Sequence, residues 1–350
     1  MTTERRSAKK SARFKHFVLV LFLLQTAAGL RAATAEMLRL EASADAMGST
    51  YSLVLYGEDR NRMEAASEDA FNEVRRLDLL LSNYKPNSEW SKVNREAASH
   101  PVEVSRELFE LLAACVNYSR QSGGTFDITV GPLMKVWGFY KDTGHLPRKG
   151  EVAEAMKQIG YKNIVLDQAN STVFFAKPGL NLDPGGVGKG YAVDRMVEVL
   201  KNDGIRSALV SAGGSSIFCL GSPPNETGWL IQIKDPRNEY RHTAEVTLKN
   251  ESLSTSGSYE KFFVAEGKTF SHIMDPRTGY PSQGTLSVSI MAPRTLDSEV
   301  WAKPYFIQGR KWTADHKPRE FRVFFCEDQA EGPASTGKKD KVNQSCAWLP

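Results

Sequence analysis

Between Ser271 and Pro281, a histidine, an aspartate and an arginine (His272, Asp275 and Arg277) fall within six residues, and Pro276, Gly279 and Pro281 shape the backbone around them. Proline fixes φ and glycine opens the left-handed region, so these side chains ride on a loop of one shape. A rigid loop bearing a base, an acid and a cation suits ligand chemistry. A surface turn opened by Asp-Pro accounts for the same residues. A second segment, 182–194, places Gly185, Gly186, Gly188, Lys189 and Gly190 just ahead of a helical pattern. Glycines let backbone approach a ligand, a helix start offers N–H groups to an anion, and lysine adds a point charge suited to phosphate. The spacing is not that of a Walker A loop, and no hydroxyl follows the lysine. A tight strand-to-helix turn is the plainer reading. Three more loops are rich in Gly, Ser and Thr: 123–132 with Asp127 and Thr129, 211–216, and 254–260 with Thr255 and Ser256. Five such loops, each beside an apolar element, imply one groove lined by backbone and hydroxyls.

The elements that must position these loops are legible in the apolar spacing. Leu53 to Tyr56 reads as a strand, and Phe71, Val74, Leu77 and Leu81 recur as a helix ending near Ser82. Ser105 is a good N-cap for a helix carrying Leu108, Leu111, Leu112, Cys115 and Val116. A short helix around 151–159 and a stripe of Val193, Met196, Val197 and Leu200 follow. Strands are expected at 164–166, 173–175, 208–211, 217–220, 229–233, 244–248 and 286–291, with a further one at 321–325. The strand at 286–291 alternates Leu286, Val288 and Ile290 against Ser287 and Ser289, which predicts one exposed face. A short helix should start near Leu296 and be kinked or ended by Pro304. Helices and strands intermix without strict βαβ alternation, which predicts an α+β fold of mixed, largely antiparallel sheets with packed helices.

The first 35 residues read as a secretory signal peptide. Arg5, Arg6, Lys9, Lys10, Arg13 and Lys15 form a basic start, Phe17 to Leu24 an apolar run, and Ala33-Thr34-Ala35 a cleavage site. The run is short for a membrane span, although an uncleaved anchor would also use it. No cysteine follows it for lipid attachment. With its seven Lys/Arg and one Glu set aside, 38 basic and 40 acidic residues remain, a net of −2. Nothing in that balance points to a nucleic-acid-binding surface. The rest divides into a main domain over 36–312 and a C-terminal extension over 313–350. Export permits disulfides, and Cys326 and Cys346 stand close enough in sequence to pair, whereas Cys115 and Cys219 fall in apolar patterns as buried thiols.

From about Met47 to Gly309 the chain resembles the ApbE family, the FAD:protein FMN transferases. The residues that carry the resemblance are Met47-Gly48-Ser49-Thr50, Ser82-Asn83-Tyr84, Phe126-Asp127 with Thr129 and Pro132, 185–194, Gly213-Gly214, Thr255-Ser256-Gly257 with Tyr259-Glu260, and 271–281. The resemblance implies a T-fold-related architecture with an FAD groove between subdomains. It also implies an exported enzyme that binds FAD with a divalent metal such as Mg²⁺, breaks the pyrophosphate, and attaches FMN to a threonine or serine of a partner protein. Members are exported or membrane-attached, which allows a membrane-proximal partner, and some members instead hydrolyse FAD to FMN and AMP. By the same resemblance Met47, Ser49, Tyr84, Asp127, Thr129, Lys189, Thr255, Ser256, His272 and Arg277 would bind the flavin nucleotide, with Arg277 as a cation or a brace of its own loop. His272 and Asp275 would shape the phosphate end, and the Gly186 carbonyl would be a metal ligand. No D-G-x-x-[ST]-G-[AT] acceptor stretch occurs in the chain, so self-modification is not expected.

One departure from the family bears on catalysis. The family places a metal-binding aspartate and, four residues on, a threonine where this chain has Glu299 and Lys303. Spacing i, i+4 puts both on one helix face. Lysine offers only donors and a positive charge, so it cannot share a metal's inner shell. Three readings follow. Glu299 binds a metal while Lys303 turns away, with Asp297 as a substitute ligand; or the Lys303 ammonium replaces the metal; or the pair is a plain helix salt bridge in an FAD-binding protein with little turnover.

Overall fold

The fold opens on a hairpin whose turn is two residues long. Strands β1 (Leu38–Ala46) and β2 (Ser49–Gly57) pair antiparallel with Ala46 opposite Ser49, leaving Met47 and Gly48 as the loop. Both have positive φ (51° and 68°), the conformation of a type I′ turn that matches the twist of the strands. The structure, a computed structural model, describes residues 36–141, 143–328 and 344–350. The proposed signal peptide lies outside them.

Helices α1 (Arg60–Leu81), α2 (Glu89–Glu96), α3 (Arg106–Gln121), α4 (Gly131–Val136) and α5 (Lys149–Met156) follow, with β3 (Val102–Glu103), β4 (Ile164–Asp167) and β5 (Thr172–Phe175) forming a small sheet beside them. Ser105 caps α3 by accepting from the Leu108 N–H, as its residue type predicts. Next come α6 (Gly188–Asn202), β6 (Ser207–Ala212), β7 (Ser216–Leu220), β8 (Trp229–Asp235), β9 (Asn238–Leu248) and β10 (Glu251–Gly257). The short strands β11 (Phe262–Ala265), β12 (Lys268–Ser271), β13 (Met274–Asp275) and β14 (Tyr280–Pro281) lead to β15 (Thr285–Ala292), α7 (Thr295–His316), β16 (Arg322–Asp328) and β17 (Gln344–Trp348).

One eight-stranded sheet organises the rest, in the order β1-β2-β6-β7-β10-β15-β16-β17, and every described pairing is antiparallel. Both its faces are covered. Helices α1, α3 and α6 bury Leu77, Leu112, Val193 and Leu200 with Leu53 and Val210, and α7 adds Val300 to that core while burying Tyr305 and Phe306 with Ile290 and Val323. On the other face the β8–β9 hairpin lays Trp229, Ile231 and Leu248 over Cys219, Leu253 and Met291. This double cover corrects the expectation for β15. Ser287 and Ser289 are buried, because β15 is a central strand with no solvent side.

The final helix departs further from expectation. It runs 22 residues, continues through Pro304, and breaks at Gly309, where φ is 83°. Proline removes one backbone donor, but burial of Val300, Ala302, Tyr305 and Phe306 holds both halves in line. Strand β1 and helices α2 and α4 were not legible as elements. A smaller core of Leu133, Trp137, Phe139, Val152 and Met274 sits under the 271–281 loop, and the Trp137 indole donates to the Gly279 carbonyl at 2.9 Å. Cys115 and Cys219 are buried free thiols, raised in pKa by that burial. Among the described residues no helix is long and apolar enough to cross a membrane.

The expected strand at 321–325 is β16, an inner strand of the main sheet, and a disulfide joins Cys326 to Cys346 across the β16–β17 ladder. Closing a loop of 20 residues restricts the unfolded chain by about 3 kcal/mol in the chain-entropy account. Cys346→Ser is therefore expected to free β17 before the rest unfolds. Hydrogen exchange would show early loss of protection at 344–348 and little change at β6 and β7.

Candidate active site

The loops converge at one end of the main sheet, and each contact has a local cause. The β1–β2 turn carries Met47 against the start of α6, where a Cβ on Gly188 would stand 3.2 Å from the Met47 methyl. Ser49 lies against Gly213 in the β6–β7 turn, whose backbone N–H donates to the Thr50 carbonyl at 2.8 Å. From α6, the Lys189 ammonium reaches the Ser215 hydroxyl of that same turn. The Ser215 carbonyl accepts from the Thr255 N–H at 2.8 Å, and the Thr255 hydroxyl pairs with that of Ser289 at 2.7 Å. Ser256, next along β10, is buried on the opposite face of the strand.

Helix α7 is registered to α6 by two carboxylates. Asp194 accepts from the Thr295 and Leu296 N–H groups at 2.7 and 2.9 Å, capping the start of α7. Glu299, 3% exposed, accepts from the Gly190 N–H through Oε2 at 2.6 Å. Its other oxygen, Oε1, is buried without a hydrogen-bond partner and lies 3.8 Å from the Lys303 ammonium. Lys303 donates to its own Glu299 carbonyl at 2.8 Å and across the gap to the Gly186 carbonyl at 3.2 Å. Burial pulls the Lys303 ammonium down to about 8, helped by Lys189 and opposed by Glu299 and Asp183.

His272 stands at the junction of β12 and β13. Its Nδ1 is 3.1 Å from the Lys261 carbonyl, and its backbone N–H donates to the same oxygen. A carbonyl only accepts, so Nδ1 is assigned the proton and Nε2 is left with its lone pair. Burial holds the imidazole down at about 4, and the ammonium groups of Lys303, Lys189 and Lys261 push the same way. The ring is therefore neutral at neutral pH.

Other expected residues support the site from behind. Asp127 accepts from the Thr129 N–H and hydroxyl and from the Tyr161 N–H, and Thr129 accepts from Gly160. Both are buried, and they pin the loop that lays Phe126 against Gly186. Asp275 gives both carboxylate oxygens to Arg277, at 2.8 and 2.9 Å, so Arg277 takes the second of its two expected roles and braces its own loop. Asp297 spends its oxygens on Arg294 and Tyr118 and does not join Glu299. Tyr84 is 72% exposed, its ring edge-to-face with Tyr140.

Three site residues carried no expectation. Asp183, buried, accepts from the Gly185 N–H and from the Tyr140 hydroxyl, both at 2.6 Å. Burial raises its pKa, offset by Tyr140 and by the charges of Lys261 and Lys303. The Asp-Pro-Gly-Gly order was the available signal, since aspartate bonds readily to the backbone two residues on. Tyr140 and Lys261 sit in segments with no pattern to mark them.

The sequence and the fold find the same relatives. The model of the ApbE family matches residues 47–324. An FAD:protein FMN transferase of Klebsiella pneumoniae is 33% identical over 272 residues, 76% of this chain and 82% of that protein. One from Salmonella typhimurium is 30% identical, over 82% and 83% of the two chains. Among solved structures, the ApbE protein of Thermotoga maritima superposes with a TM-score of 0.76 at 30% identity, covering 82% of this chain and 94% of that one. The flavinyl transferase ApbE of Pseudomonas stutzeri, in its apo form, gives 0.76 at 25% identity, covering 89% and 95%. A family match over most of the chain, relatives of similar length, and one shared fold make this protein a member of the ApbE family.

Proposed function

We propose that this protein is an exported FAD:protein FMN transferase, which cleaves the FAD pyrophosphate and attaches FMN to a threonine or serine of a partner protein. The observation that carries this reading is geometric: Lys303 reaches the Gly186 carbonyl, Lys189 reaches the Ser215 hydroxyl, and His272 meets the Lys261 carbonyl through Nδ1, which leaves Nε2 for a proton. Ammonium groups suit a pyrophosphate, whose charge grows on the leaving phosphate during displacement. In the step proposed, the acceptor hydroxyl oxygen forms a bond to the FMN phosphorus and the phosphoanhydride bond to the AMP oxygen breaks. The hydroxyl proton passes to His272 Nε2 and AMP leaves with the bonding electrons. Lys189, steadied by Ser215, and Lys303, steadied by Glu299, hold the phosphate oxygens, while the exposed ring of Tyr84 beside Tyr140 offers a face to the flavin.

The Mg²⁺ implied by the family does not fit the residues present. The Gly186 carbonyl already accepts from the Lys303 ammonium, and that ammonium stands beside the one unpartnered oxygen of Glu299. Among the described residues no three His, Cys, Asp or Glu side chains converge as a metal-binding group. Export is supported by the basic and apolar character of residues 1–35 and by the Cys326–Cys346 disulfide, a bond that persists in oxidising compartments.

Release of AMP from FAD tests the reading. AMP that appears only with a Thr- or Ser-bearing acceptor supports transfer. AMP formed equally without acceptor marks a hydrolase yielding FMN and AMP, and tight FAD binding with neither product overturns catalysis altogether.

A further inference from the structure

We propose that the Lys303 ammonium is the resident cation of the pyrophosphate site, standing where relatives would use a divalent metal, so that this chain binds and cleaves FAD without one. The inference rests on the FAD-cleaving reading above and extends it. Three observations carry it. First, the ammonium is not splayed along the surface. It crosses from α7 to the Asp183–Gly188 turn and donates to the Gly186 carbonyl, the group the family resemblance makes a metal ligand. Second, Glu299 is 3% exposed, and its Oε1 has no hydrogen-bond partner, while the ammonium lies 3.8 Å away. A buried carboxylate needs a counter-charge, and here one is built into the chain. Third, the position is registered rather than accidental. Asp194 caps α7, Glu299 Oε2 accepts from Gly190, and the helix runs on through Pro304 with Lys303 directed inward.

The donor count leaves room for a ligand. An ammonium has three N–H groups, and two are spent on the Gly186 and Glu299 carbonyls. The third is left for an anionic oxygen. One ammonium carries half the charge of a divalent ion, and Lys189, which reaches the Ser215 hydroxyl from the start of α6, adds a second positive charge. A plain i, i+4 helix salt bridge explains neither the reach to Gly186 nor the burial of Glu299.

The test uses the full-length protein, freed of metal with EDTA, and reads FAD affinity by flavin fluorescence alongside AMP release with an acceptor peptide. The unmutated protein is expected to bind FAD and release AMP equally in EDTA and in Mg²⁺. Lys303→Met should weaken FAD binding in EDTA by roughly ten- to hundred-fold, the loss of one charged hydrogen bond. Lys303→Thr should behave likewise in EDTA and recover affinity when Mg²⁺ is added, and that recovery shows that the variant is folded. The proposal is overturned if EDTA abolishes FAD binding or turnover in the unmutated protein and Mg²⁺ restores it, or if Lys303→Met binds FAD in EDTA as the parent does. Lys303-dependent FAD binding with no AMP under any condition would uphold the ammonium as the pyrophosphate cation and sink the transferase reading instead.

Discussion

His272→Ala is expected to slow acceptor-dependent FMN attachment by about 10²- to 10⁴-fold, the usual contribution of a positioned general base, with FAD affinity nearly unchanged. The expectation follows from which nitrogen is available. The Lys261 carbonyl fixes the proton on Nδ1, and Nε2 is left to take the proton of the acceptor hydroxyl. Because burial and three ammonium groups hold the ring near 4, it is a neutral base across the physiological range. The sign of the pH dependence is set by that depression. The active form is the unprotonated one, so kcat/KM should be flat down to about pH 5 and fall about tenfold per unit below 4. An unperturbed histidine would give the same limb near 6.5. A residue that merely shaped the loop would change FAD affinity and leave the position of the acid limb untouched. Rates and affinities for the variant, and the pH profile of the parent, separate the two roles.

Gly190→Ala is expected to damage both the fold and the site. A Cβ at this position would stand 2.6 Å from the Thr295 carbonyl oxygen and 2.8 Å from Glu299 Oε2. Neither neighbour can yield cheaply. Thr295 is held by the Asp194 cap, and Glu299 is held by the Gly190 N–H itself. The two helices must part, at about 1–3 kcal/mol for overpacking of this kind, and each kcal/mol lowers the melting temperature by roughly 2–4 °C in a large domain. Parting the helices also moves the Glu299–Lys303 pair away from Gly186, so FAD affinity should fall together with the melting temperature. A variant with an unchanged melting temperature and unchanged FAD affinity would show that the close approach of α6 and α7 is not what registers the site. By contrast, Gly48 has no neighbour within 4 Å of its would-be Cβ, and its glycine serves the positive φ of the turn.

These two positions show what the sequence makes legible. Local chemistry was readable where one residue type has one strong use. Ser105 caps α3, the stripe of Val193, Met196, Val197 and Leu200 faces the core from α6, and Cys326 and Cys346 come together. That the five loops belong together was also readable, because glycines and hydroxyls recur beside apolar elements. What could not be read is what the third dimension decides. The alternation in β15 promised a wet face, but β8 and β9 return to cover it. Pro304 promised a break, but burial on both sides of it outweighs one lost hydrogen bond and moves the break to Gly309. Asp275 and Arg277 looked like reacting groups because spacing cannot tell a fork closed on itself from one open to a ligand. Lys261 was invisible because its contribution is a backbone carbonyl and a charge delivered across the site. The family resemblance marked Glu299 and Lys303 as a departure; only the distances to Gly186 and Gly190 show what the pair contacts.

The central claim is that the FMN half of FAD ends on a hydroxyl of another protein. Intact-mass measurement of a Thr-bearing acceptor after incubation with this protein and FAD tests it most directly. The account predicts a mass increase equal to FMN less one water, located at the hydroxyl residue and lost with His272→Ala. An acceptor that stays unmodified while FAD is converted to free FMN and AMP would contradict it.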